Sequence, residues 1–157
     1  MLQLSDYLTA NRVLADMRST TKEAALGELA ALLTRDAEEL LPDVHRVIAE
    51  RERLASTGIG DEIAIPHGKL EVVGDLVLGL ARSEAGLDFQ SEDGKPTRLF
   101  FVLVAPESST GIHLKALARI SRLCKEPSFR RGLLAAADAR EMYDVLCEED
   151  SKFSAPK

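Results

Sequence analysis

Apolar positions along this chain recur in two rhythms, steps of three and four residues that suit helices and short continuous runs that suit buried strands. Residues 4–8 can make one helical turn. The apolar centre of Arg12-Val13-Leu14-Ala15-Asp16-Met17, set between polar flanks, predicts a first strand. Thr20 and Glu23 form a capping-box pattern ahead of Leu26, Leu29, Ala30 and Leu33, whose spacing predicts a helix to about residue 35. A polar turn over residues 36–41 follows. Pro42 then opens a second long helix with Val44, Val47, Ile48 and Leu54 on its inner side. Further on, residues 76–82 read as a strand covered on nearly both faces, residues 87–89 as a short edge segment, and residues 98–105 as a central strand closed by Pro106. The helix after it aligns His113, Leu117, Ile120 and Cys124 on one face. Pro127 marks the start of a fourth helix carrying Phe129, Leu133 and Leu134, and a last one over about residues 139–147 buries Met142, Val145 and Leu146. Helices alternating with a few strands indicate an α/β domain, a sheet flanked by helices, over residues 1–148. Residues 149–157, polar with a late proline, are expected to be a flexible tail.

One stretch does not fit simple packing. Ser56-Thr57-Gly58-Ile59-Gly60 is a glycine-punctuated loop, and Ile63-Ala64-Ile65 after it has the branched apolar character of a short buried strand. Gly58 and Gly60 permit positive φ and close approach of another group. Pro66, with no N–H to donate, is expected to end that strand, so that His67 emerges at a strand end facing solvent. Gly68 would leave room beside the ring. A histidine between proline and glycine is more often an exposed loop residue than a nucleophile, and the residues alone leave both readings. Arg51 lies on the apolar stripe of the second helix, where it can snorkel, with its methylenes packed and its head in water. His113 sits at the core-facing edge of a helix N-terminus, where packing at the core margin is the common fate. That terminus nonetheless offers free N–H groups to an anion. His45 falls on a different part of its helix and reads as solvent-facing.

Composition narrows the choices. A chain of 157 residues with 45% hydrophobic content suits one domain with an ordinary core. With no Trp, 4% aromatic residues and a net charge of −6, it is poorly made for binding nucleic acid. Cys124 and Cys147 are too far apart for a metal knuckle and too few for a disulfide scaffold. Reduced thiols and a cytoplasmic location follow, in keeping with an N-terminus that has no basic and apolar leader pattern and with apolar runs too short to cross a bilayer. No convincing metal cluster is present and no cofactor is required.

The run Arg51-Glu52-Arg53-Leu54-Ala55-Ser56-Thr57-Gly58-Ile59-Gly60 followed by Ile63-Ala64-Ile65-Pro66-His67-Gly68-Lys69 resembles the phosphorylation-site signature of the mannitol/fructose-type enzyme IIA components of the phosphoenolpyruvate phosphotransferase system. It is most like the stand-alone nitrogen-regulatory branch, enzyme IIA-Ntr, and the likeness runs from about residue 4 to about residue 146. The resemblance implies a single-domain fold with a central mixed β-sheet between helical layers. It implies that His67 accepts a phosphoryl group from an HPr/NPr-like histidine phosphocarrier protein, with Arg51 offsetting the phosphate charge and His113 stabilising the phosphate or the ring. Ser56, Thr57 and Gly58 are then expected to supply donors to the phosphate. Asp61 and Glu62 depart from the family's usual small or neutral residues, and the expectation is an acidic rim that attracts a basic carrier. Two other readings stay open. One is a sugar-specific fructose/mannitol enzyme IIA that passes phosphate to an enzyme IIB; the other is a binding module that keeps the fold without the transfer chemistry. The regulatory targets are not legible.

Overall fold

In the computed structural model, residues 2–154 are described. The fold is built on β6 (Thr97–Ala105), the most continuous apolar run of the chain, whose residues from Leu99 to Ala105 are all buried. Strands β5 (Val77–Leu87) and β1 (Leu8–Leu14) lie on one side of it, β5 antiparallel to β6 and β1 parallel to β5. On the other side lie β3 (Ile63–Ala64), β2 (Gly58–Gly60) and β4 (His67–Lys69), giving six strands in a mixed sheet.

Side chains alternate across β6 because the strand period is two. Phe100, Val102 and Val104 join the apolar cluster of α1 (Lys22–Leu33) and α2 (Leu41–Leu54). Leu99, Phe101, Leu103 and Ala105 join that of α3 (Thr110–Cys124), α4 (Pro127–Ala135) and α5 (Ala139–Ser154). A run apolar at every position therefore serves two cores, and the expected sheet with helices on both faces is what forms. Among the described residues, no helix is long and apolar enough to cross a membrane.

The local differences from expectation have physical causes. The first strand covers Leu8–Leu14 rather than residues 12–17, since Leu8 pairs with Leu78 of β5 as Val13 and Leu14 pair with Leu80 and Ala81, the polar positions between them spanning a register irregularity. Thr21, not Thr20, caps α1, its side chain accepting the Ala24 N–H. Leu54 is 82% exposed at the end of α2, where the chain turns away. The segment around residue 87 is the end of β5, not a separate edge strand. Helix α5 continues through Ser154, because Asp150 is fully buried, accepts the Ser5 N–H and binds Arg119 at 2.6 Å. Residues 149–154 thus form the last turns of a docked helix, and residues 155–157 of the expected tail lie outside the described residues.

The two short strands β3 and β4 share one edge of β6. Ile63 and Ala64 pair with Leu99 and Phe100, and His67, Gly68 and Lys69 pair with Leu103, Val104 and Ala105. Between them Pro66 cannot donate, but its carbonyl accepts the Leu103 N–H at 3.1 Å. Pairing is therefore interrupted rather than ended. His67 opens a new strand instead of leaving an old one.

Candidate active site

His67 is half-buried in an open cleft of about 600 Å³ formed where α2, β4 and the start of α3 meet. Gly68 explains how α2 reaches β4. A Cβ at that position would lie 2.9 Å from Val47 Cγ2 and 3.2 Å from the Val47 carbonyl carbon, so only glycine lets the helix settle there. The glycine makes room for the helix, not for the imidazole as its sequence position suggested. Arg51 lies one helical turn beyond Val47 and is thereby carried into the wall of the cleft, where its Nη1 donates to the Ala55 carbonyl at 2.9 Å.

The His67 ring is fixed by a local bond. Nδ1 lies 2.8 Å from the Ile65 carbonyl oxygen, which can only accept, so Nδ1 carries the proton and Nε2 holds the free lone pair. Burial lowers the His67 pKa from its ordinary value; the Ile65 bond and Glu52 pull it back up and nearby Arg51 pushes it down. The outcome is a neutral ring at neutral pH.

His113 reaches the same cleft from the first turn of α3. Its ring meets that of His67 edge-on, with centroids 5.2 Å apart and planes at 71°. It is buried, its Nδ1 has no hydrogen-bond partner among the described residues, and burial followed by the charges of His67 and Lys69 lowers its pKa to about 4. Lys69, two residues after His67 on β4, faces the cleft as well and donates from Nζ to Thr110 Oγ1 at 3.1 Å. Sequence reasoning passed over Lys69. The signal was available, since residues i and i+2 of a strand share a face. Leu114, 60% exposed, and Leu117 complete an apolar shoulder of the cleft.

The three residues assigned to chemistry thus come together, while the proposed phosphate loop stands apart. Ser56, Thr57 and Gly58 are not in the wall of the cleft. Ser56 Oγ donates to the Phe89 carbonyl and accepts the Gly58 N–H, and both the N–H and the hydroxyl of Thr57 donate to Glu52. Their donors are committed within the protein. Gly58 serves close approach to Ser91, and positive φ is found at Gly60, Asp61 and Glu62. Asp61 and Glu62 form the tight turn between β2 and β3 and line a different hollow with Asp93, Lys95 and Arg130. The acidic rim expected from them is absent: the charged residues lining the cleft are Arg46, Arg51 and Lys69 against Glu50 and Glu107. His45 is exposed on α2, as its helical position indicated.

A mixed α/β sheet that presents two neutral histidines beside cationic groups in an open cleft suits a protein that carries a small anionic group to and from macromolecular partners. Residues 6–149 match the family model described as phosphoenolpyruvate-dependent sugar phosphotransferase system, EIIA 2, and the chain belongs to this family of phosphotransferase components. Within it, the chain is 38% identical over 146 residues to a nitrogen regulatory protein of Bradyrhizobium diazoefficiens, covering 92% of this chain and 95% of that protein. It is also 31% identical to the fructose-specific EIIABC component of Bacillus subtilis, covering 95% of this chain but 24% of the larger protein. Among solved structures, the nitrogen regulatory protein IIA-Ntr of Neisseria meningitidis superposes with a TM-score of 0.85 at 31% identity, over 91% of this chain and 98% of that one. The mannitol IIA of Escherichia coli shares the fold, with a TM-score of 0.73 at 21% identity over 88% and 98% of the two chains.

Proposed function

We propose that this protein is a cytoplasmic phosphoryl carrier of the nitrogen-regulatory enzyme IIA type, charged on His67 Nε2 by an HPr/NPr-like phosphohistidine protein. The observation that carries the reading is the 2.8 Å bond from Nδ1 to the Ile65 carbonyl, which leaves Nε2 as the nucleophile without any proton to remove. The Nε2 lone pair attacks phosphorus in line, the donor's P–N bond breaks, and the donor imidazole keeps that electron pair. Positive character then grows on the His67 ring, and the Nδ1–H bond to the carbonyl strengthens as it does. The Arg51 guanidinium and Lys69 ammonium offset charge on the equatorial oxygens. His113 is neutral in the resting state, so its contribution is a hydrogen bond and the placement of the ring rather than a standing charge.

Phosphorylation would add about two negative charges to a cleft whose lining has one cation in excess, Arg46, Arg51 and Lys69 against Glu50 and Glu107, so the sign of its charge would reverse and the partners that dock there would change. This is the basis for regulation by phosphorylation-dependent partner binding. Incubation with phosphoenolpyruvate, enzyme I and a histidine phosphocarrier is expected to label His67 in an acid-labile, alkali-stable bond, and His67→Ala is expected to take no label. Label that persists in that variant refutes the assignment. A second reading, transfer onward to an enzyme IIB, is favoured by the likeness to the fructose-specific component. Rapid loss of label to an added fructose-type IIB domain would support it.

A further inference from the structure

We infer that Glu52 is a positioning residue for His67, acting through a relay of hydrogen bonds that holds the imidazole in its Nε2-nucleophile form. The inference rests on the phosphoryl-carrier reading and adds a residue to it. Glu52 follows Arg51 on α2 but points to the other side of the helix, where it is 5% exposed. A buried carboxylate is costly unless its lone pairs are used. Glu52 uses them fully. One oxygen accepts the Thr57 N–H at 2.8 Å and faces Lys22 Nζ at 2.9 Å, and the other accepts the Thr57 hydroxyl. Lys22 is itself held by Gln90 and lies over the Phe89 ring at 4.8 Å.

From Thr57 the relay continues through backbone. The Thr57 carbonyl accepts the Ile65 N–H at 3.0 Å, and the Ile65 carbonyl accepts the His67 Nδ1–H at 2.8 Å. Ile65 and Pro66 form the break between β3 and β4, so the ladder along β6 does not supply the Ile65 peptide with a partner for its N–H. Thr57 takes that role, and Glu52 is what holds Thr57. One helix therefore carries both the guanidinium that meets the phosphate and, one residue later, the carboxylate that aims the nucleophile. The motif's Ser-Thr-Gly stretch acts here as a strut behind the ring.

The test measures the ring itself. In 15N-labelled protein, two-bond proton–nitrogen correlation of His67 is expected to show a protonated Nδ1 and a bare Nε2. Glu52→Ala and Thr57→Val should both mix the two tautomers and slow transfer from the phosphocarrier by between about 10- and 100-fold, the loss that follows misplacement of a reacting group by about 1 Å. Glu52→Gln, which keeps one acceptor oxygen, should fall between these and the wild type, and Thr57→Ser should restore both tautomer and rate. Should Glu52→Ala fail to fold by circular dichroism, Thr57→Val decides, since it removes one hydroxyl and keeps the N–H bond. Wild-type tautomer with rates within twofold in the folded variants overturns the inference. Failure of the wild type to label on His67 would instead overturn the carrier reading, while the tautomer measurement still judges the relay.

Discussion

Replacing Gly68 with alanine tests how the cleft is assembled. The added Cβ would sit 2.9 Å from Val47 Cγ2 and 3.2 Å from the Val47 Cβ and carbonyl carbon, whereas carbon atoms in contact prefer about 3.5–4.0 Å. One of those neighbours is helix backbone, which a rotamer change cannot move. Helix α2 must therefore withdraw from β4 by roughly half an ångström, at the cost of about 1–3 kcal/mol that overpacking of a tight contact brings. Arg51 withdraws with it, and phosphorylation of His67 should slow by about tenfold or more. Urea unfolding followed by circular dichroism gives the stability change, and single-turnover transfer from a phosphorylated carrier gives the rate. Combining Gly68→Ala with Val47→Ala removes the nearest clashing atom, so the double variant should be at least about 1 kcal/mol more stable than the two single effects added together. Independent sites add within about 0.5 kcal/mol. Additivity within that margin, or a Gly68→Ala protein with wild-type midpoint and rate, would refute the account of how α2 is seated.

Arg51→Ala should slow single-turnover phosphorylation by about 100-fold while leaving the melting temperature nearly unchanged, because among the described residues the side chain's one hydrogen bond goes to the exposed loop carbonyl of Ala55; unchanged kinetics would leave Arg51 as a snorkelling side chain. His113, with its folded pKa lowered to about 4 against an unfolded value near 6.5, makes the unfolded chain bind more protons between those limits. Stability is therefore expected to be fully present above about pH 6.5 and lost as pH falls towards 4, by about 2 kcal/mol once solvent screening at the open cleft is allowed for. The lowered His67 pKa acts in the same direction. His113→Gln should flatten that slope in pH-dependent urea titrations, and phosphorylation of His67 should raise the His113 pKa in an NMR titration. Asp150→Ala removes the partner of Arg119 and of the Ser5 N–H, and is expected to cost about 3 kcal/mol in chemical unfolding without altering the transfer rate per folded molecule; a change under 1 kcal/mol would return the end of the chain to a loosely attached tail.

The helices and the central strand could be read from periodicity because each buries a face whose pattern is local. The apolar run within residues 98–105 announced a central strand, and α2 with Pro42 in its first turn announced its own start. Misreadings cluster where a distant partner decides the outcome. Strand β1 begins as early as Leu8 because Leu8 pairs with Leu78 of β5 across an irregularity that Thr9, Ala10 and Asn11 occupy, and α5 is carried past residue 148 by Arg119 and Ser5. Neither partner can be read within the segment itself.

At the site, residue identity by itself determined the chemistry on offer: an imidazole between proline and glycine, a guanidinium on a helix stripe, and a second imidazole at a helix start. Tertiary structure alone decided which groups meet and which do not. It placed Lys69 in the cleft with His67 and tied it to Thr110, turned Ser56 and Thr57 inward, and moved Asp61 and Glu62 to another surface. The physical reason is that donors and acceptors are assigned by long-range packing. A buried carboxylate such as Glu52 takes the nearest N–H and hydroxyl, and a missing Cβ at Gly68 decides how near one helix can lie to one strand.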